Sequence, residues 1–156
     1  MRKVSAIGSL LKKIYRNYNS EILTRLEERG FTDLRPSFLE VLLIICEIDG
    51  PSIKVIGKNC GLKKQTMTSH LNELVKRGYV ERKINPNDKR EQLIFLTEYG
   101  RKFKLALFET VSEVESIYTN IVGDIELERI EHILSQFHTK VFETDHNSAQ
   151  TELSLF

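Results

Sequence analysis

Two short stretches carry side chains whose types and spacing could do chemistry. In the first, "KKQTMTSHLNELVKRG" (63–78), Lys64, Gln65, Thr68, Ser69, Asn72 and Lys76 fall on one side of a helix. Met67, Leu71 and Leu74 form the apolar stripe opposite. Gln and Asn amides and Ser and Thr hydroxyls are the groups that read base edges in a duplex major groove. Lys63, Lys64, Lys76 and Arg77 would anchor phosphates at the two ends of the helix. The second stretch, "INPNDKR" (84–90), is a turn followed by an acid and two cations, Asp88, Lys89 and Arg90. Taken alone, the helix face is better read as ordinary solvated surface and the turn as charged loop. What surrounds them reverses that reading.

The elements that must position these groups follow from periodicity. Residues 4–28 repeat apolar side chains every three or four positions (Ile7, Leu10, Leu11, Ile14, Tyr18, Ile22, Leu26), and Gly30 stops that helix. Pro36 starts a second helix running to about Ile48. It is apolar nearly all round, so it is expected at the centre of the fold. The turn "DGPS" (49–52) ends in Ser52, a cap for a short helix from Ile53 to Asn59, which Gly61 breaks. The polar-faced helix follows and ends at Gly78. Two β-like runs, Tyr79–Ile84 and Glu91–Leu96, imply a hairpin with a loop longer than the two-residue type. Thr97 caps a helix over 98–122, and Gly123 and Asp124 restart a last one to about 142. The result is mainly α with a small β-hairpin wing (α+β): a winged helix-turn-helix lobe over 36–97, flanked by a helical dimerisation module made of 1–35 and 98–144. Residues 145–156 have no sustained period and read as a flexible tail, with Leu153, Leu155 and Phe156 able to dock. The flanking helices are too apolar on one face to stand alone, and a symmetric dimer is the commonest cover.

Charge points the same way. The chain of 156 residues is nearly neutral, at +1. Between Lys54 and Arg90, however, ten basic residues face three acidic ones, a net +7, which leaves −6 for the rest. Such asymmetry suits a module that meets a polyanion, and equally a solvated charged face. No apolar run reaches membrane-spanning length and the N-terminus lacks a signal-peptide pattern, so a cytoplasmic protein is expected. No Gly-rich phosphate loop, nucleophile elbow or H-E-x-x-H occurs, so no catalytic residue and no cofactor is assigned.

Asp88 to Gly100 reads D-x-R-x5-L-T-x2-G, preceded by "SIKVIGKNCGLKKQTMTSHLNELVKRGYVER" from Ser52. In these residues the chain resembles the multiple-antibiotic-resistance regulator (MarR) family of winged helix-turn-helix transcription regulators. The likeness covers nearly the whole chain in element order and is sharpest from Ser52 to Gly100. It implies that Gln65, Thr66, Thr68 and Ser69 meet the major groove, and that Arg90 at the wing tip enters the adjacent minor groove. A guanidinium suits that narrow, negative slot. It further implies that Asp88 restrains the wing. Beside it, the helix face itself puts Lys63, Lys64 and Asn72 in the contact with double-stranded operator DNA, and Arg82 and Lys89 are assigned to that contact too, with Lys89 on the groove or on a phosphate. The family pattern also implies a ligand-responsive repressor that binds a pseudo-palindromic operator as a homodimer. Its effectors are small, often aromatic or phenolic acids, and nothing in the sequence names one here.

Three alternatives stand beside this. A winged helix can serve protein contacts without specific DNA binding. Some members of the family sense oxidants, but Cys46 and Cys60 lie in apolar settings and read as small core residues. Others bind zinc, but His132, His138 and His146 near Glu131 and Glu143 match no specific ligand spacing. His70 reads as a half-buried polar residue before it reads as a base contact.

Overall fold

The computed structural model describes residues 2–143; the expected tail over 145–156 lies outside the described residues. The element order is α1 (Lys3–Glu28), α2 (Pro36–Glu47), α3 (Ile53–Cys60), α4 (Lys64–Lys76), β1 (Val80–Asn85), β2 (Asp88–Leu96), α5 (Glu98–Val122) and α6 (Asp124–Glu143). The fold is mainly α with one antiparallel hairpin.

Helix α2 is the centre. Pro36 occupies its first turn behind an extended Arg35, as the fixed proline φ favours. Phe38, Leu39, Val41, Leu42, Ile44, Ile45 and Cys46 are all buried, so the helix is covered on several sides. It contacts α3, α4 and β2. Met67, Leu71 and Leu74 of α4 reach zero exposure in the same core, which leaves the polar face of α4 outward.

The turn between α3 and α4 is built from local chemistry. The Ser52 hydroxyl accepts the Val55 N–H at 3.2 Å and caps α3. Gly61 sits at φ +63°, in the left-handed region that a glycine enters without penalty. The Leu62 N–H returns to the Gly57 carbonyl, so α4 leaves at a fixed angle. The segment before α3 also does more than turn. Ile94 N–H donates to Pro51 O at 2.9 Å and Ser52 bridges Leu93, giving the wing a short third edge.

The hairpin differs from its expected form. The strands pair in regular register from Val80↔Leu96 to Ile84↔Gln92, then jump to Asn85↔Asp88. Only Pro86 and Asn87 separate the strand ends, and the remaining length goes into a bulge of β2 at Lys89, Arg90 and Glu91. Side chains close this tight end. Asn85 Oδ1 accepts the Asn87 N–H at 2.9 Å, and Asp88 Oδ1 accepts the Arg90 N–H at 3.0 Å. A turn held by its own Asn and Asp needs no longer loop.

The wing joins α5 at one point. Thr97 N–H donates to Tyr79 O at 3.1 Å, and the Thr97 hydroxyl donates to Gly78 O while accepting the Gly100 N–H at 2.9 Å. A Cβ on Gly100 would lie 2.0 Å from the Tyr79 carbonyl oxygen. Tyr79 is itself fully buried, packed on Phe31, Tyr99 and Phe103, with its hydroxyl donating to Asp33 at 2.7 Å. Burial, and then the Asp33 bond, hold that phenol far above the usual tyrosine range.

The flanking helices are only half covered. The C-terminal half of α1 packs on α5 through Ile22 and Leu26, and Arg29 donates to Thr110 at 3.1 Å and pairs with Glu113. In the N-terminal half Leu10, Leu11 and Ile14 are exposed, with no cover from the other described residues. Helix α6 buries no residue fully, and Ile130, Phe137 and Val141 of its stripe are exposed.

The junction yields a direct expectation. Gly100→Ala should lower unfolding stability by about 3 kcal/mol, because backbone must move to admit the methyl group. Urea denaturation measures this, and an unchanged midpoint would contradict the packing described.

Candidate nucleic-acid interface

Two surfaces meet at one cleft. Its walls are α3, the N-terminal half of α4, and the bulged end of β2, with Lys54, Lys58, Lys64, Thr68, Lys89 and Arg90 among its lining residues. Five cations thus line it against Asp88 and Glu91. Lys54 and Lys58 fall inside the stretch that carries the resemblance, yet they were legible only as part of the basic segment.

On α4, Lys63, Lys64, Gln65, Thr66, Ser69, Asn72 and Lys76 are exposed. Thr68 is half-buried, its hydroxyl donating to Lys64 O at 2.8 Å. Lys63 holds the N-cap position with extended backbone and no side-chain cap. The helix N-terminus therefore keeps unpaired N–H groups, and the cations beside it favour an anion there. Lys64, Gln65, Thr68, Ser69 and Asn72 line one shallow open depression, so the expected reading residues do share a face.

Asn72 and Arg82 are brought together. The Arg82 guanidinium donates to Asn72 Oδ1, which ties α4 to β1. Arg82 is half-buried, and its Nε has no partner. Arg77 departs from the role expected of it. It pairs with Glu73 at 3.4 Å, donates to Asp33 O, and sets its guanidinium 5.0 Å from the Phe38 ring centroid. Those partners pull it to the α1–α2 loop, away from the exposed face. His70 is half-buried, edge-on to Phe38 at 5.4 Å, and so faces into the lobe.

At the wing tip, the Arg90 side chain is 97% exposed. Its backbone is fixed by Asp88, whose carboxylate also lies 3.7 Å from the Arg90 Nε. Such an exposed pair is worth little to stability. Its effect is to aim an otherwise free guanidinium. Lys89 is exposed beside it, while Glu91 accepts from the Asn85 amide at 2.8 Å.

The thiols are elsewhere. Cys46 is buried in α2, and Cys60 is half-buried at the end of α3. Burial pushes both up to about 11. Among the described residues no three His, Cys, Asp or Glu side chains converge as a metal set. His138 packs on Phe142, with ring centroids 4.5 Å apart. Among the same residues no helix is long and apolar enough to cross a membrane.

Helices α3 and α4 with the hairpin folded beside them make a winged helix-turn-helix. Residues 32–91 match the model of the MarR family. An HTH-type transcriptional regulator, TtmR of Methylorubrum extorquens (strain PA1), is 41% identical over 69 residues, 44% of this chain and 35% of that protein. The match therefore spans well under half the length of that curated relative. A MarR transcriptional regulator from Methanosarcina mazei Go1 superposes with a TM-score of 0.76 at 23% identity, covering 90% of this chain and 99% of the other. A mutant MarR from E. coli complexed with operator DNA gives 0.75 at 23% identity, covering 86% and 95%. These likenesses establish the fold from α1 to α6.

Thiols raised this far stay protonated at neutral pH, and thiolate forms only near pH 11. Alkylation of the native protein by iodoacetamide at pH 8 should be about 100-fold slower than for an ordinary cysteine. Mass spectrometry over time tests this, and fast labelling of either cysteine would revive a redox role.

Proposed function

We propose that the chain is a sequence-specific DNA-binding transcription regulator that works in the cytoplasm as a homodimer. It represses from a pseudo-palindromic operator and responds to a small effector. One observation carries this reading: the polar face of α4 and the exposed Arg90 flank one basic cleft. A helix fits the major groove, and its amides and hydroxyls can read base edges there. An arginine held out on a wing reaches the neighbouring minor groove, whose negative potential favours it. The operator-bound MarR mutant of similar fold supports the same docking.

The homodimer rests on uncovered apolar surface. Leu10 and Ile14 on α1, Ile121 on α5, and Ile125, Ile133 and Phe137 on α6 are all exposed. Complete burial of such side chains is worth roughly 1.5–3 kcal/mol each, so a second copy has much to gain there. Two recognition helices joined this way would read half-sites one duplex turn apart. A ligand that shifts their separation then alters many contacts together. The cavity between α1, α2 and α5 is the place for it, since it adjoins both the flanking helices and the lobe.

Three measurements test this. Sequences selected from a random DNA pool should share a pseudo-palindrome. Arg90→Ala should weaken binding to the selected site by about tenfold or more with thermal stability unchanged, and wild-type affinity should fall steeply with salt. Unchanged affinity in the variant, or a flat salt response, would favour a protein-contact module. Light scattering at micromolar concentration should give twice the chain mass; a monomer would overturn the dimer.

A further inference from the structure

The cavity between α1, α2 and α5 has a volume of about 450 Å³, room for a ligand of one or two rings. Leu43, Ile44, Leu107 and Val111 supply apolar wall. Its polar groups are the tyrosines 15 and 18, the asparagines 19 and 59, and two carboxylates, Glu40 and Glu47. Among the described residues no Lys, Arg or His lines it. Carboxylates act on most of the titratable groups in its wall, and at Cys46 the cation is the stronger neighbour. Glu40 acts on Tyr15 and Cys60, Glu115 on Tyr18, and Glu47 on Cys46; the opposing cation is Lys104, which acts on Cys46.

A neighbouring cleft is balanced instead, with Arg101 and Lys104 against Glu47 and Asp49. It lies between the end of α2, β2 and α5, and shares Cys46, Glu47 and Phe108 with the first. Arg101 and Lys104 line it, and Lys104 Nζ stands 5.7 Å from the Phe108 ring centroid. A carboxylate would find its counter-ions there. In the first cavity it would meet two carboxylates in partly apolar surroundings, where unpaired like charges are costly.

We propose that the α1–α2–α5 cavity selects a lipophilic cation, a one- or two-ring amine protonated at neutral pH, and rejects aromatic acids. This rests on the effector response proposed above and reverses the charge that the family resemblance implies for the ligand. Glu40 is already held, accepting the Tyr15 hydroxyl at 2.6 Å, so its carboxylate is placed before a ligand arrives. Glu47 is exposed at the shared rim and offers a second counter-charge. The faces of Tyr15 and Tyr18 attract an ammonium through the ring quadrupole.

A matched pair of probes tests the charge alone: 2-naphthylmethylamine and 2-naphthoic acid, titrated by calorimetry into the full chain without DNA at pH 7. The amine should bind one site per chain at least tenfold more tightly than the acid. Glu40→Gln and Glu47→Gln should each weaken the amine several-fold, and Lys104→Met should not. Glu47 is exposed, so its variant keeps the fold, and thermal melting checks both. Tighter binding of the acid with loss in Lys104→Met, amine binding indifferent to both glutamates, or no binding of either probe overturns the proposal. Operator affinity of the ligand-free protein is measured separately by gel shift. DNA binding with no amine binding overturns the cation assignment alone, whereas amine binding with no DNA binding upholds it and overturns the regulator reading.

Discussion

The carbonyl oxygen of Tyr79 occupies the space that a side chain at position 100 would need. Because Gly100 leaves that space open, the first residue of the wing and the first turn of α5 can touch backbone to backbone. Thr97 fastens the contact from both sides, donating to Gly78 and Tyr79 and capping α5. The wing is thereby welded to the long helix that carries α6, and Tyr79 is driven into the aromatic cluster with Phe31 and Phe103. Through Asp33 the same residue ties in the α1–α2 loop, where Arg77 also ends. One crowded junction thus sets how the DNA-facing lobe sits on the flanking helices.

That rigidity is what the proposed effector response would act through. A cavity walled by α1, α2 and α5 is bounded on one side by the central helix of the lobe and on the other by flanking helices with exposed apolar side chains. Packed interiors do not deform smoothly, so a ligand that wedges or clamps those walls moves whole elements. The floor of the cavity is α2, whose other faces carry α3 and α4.

Much of this was legible in the sequence because it rests on local rules. Ser52, Gly61, Thr97 and Pro36 announce caps and breaks through their own chemistry, and the helices follow from three-and-four spacing. The all-apolar α2 could be placed at the centre from its composition alone. What escaped depends on partners distant in sequence. The shape of the hairpin end follows from which ladder rung fails, and that is fixed by Asn85 and Asp88 bonding their own turn. Arg77 looked like a phosphate anchor until Asp33, Glu73 and Phe38 gathered around it. Asn72 reads as a free base-reading amide, yet Arg82 holds its oxygen in the free chain. The apolar stripe of α1 was legible from its spacing, and its N-terminal half stays exposed among the described residues.

The bulge at Lys89, Arg90 and Glu91 separates two demands that usually compete. The tip of the wing is held by bonds among its own residues, and no buried side chain lies between Lys83 and Leu93. Substitutions there leave the core untouched. On the docking proposed for Arg90, drift in this short stretch retunes groove preference without a toll on folding, and descendants of one scaffold can part company at the tip while keeping the junction that carries it.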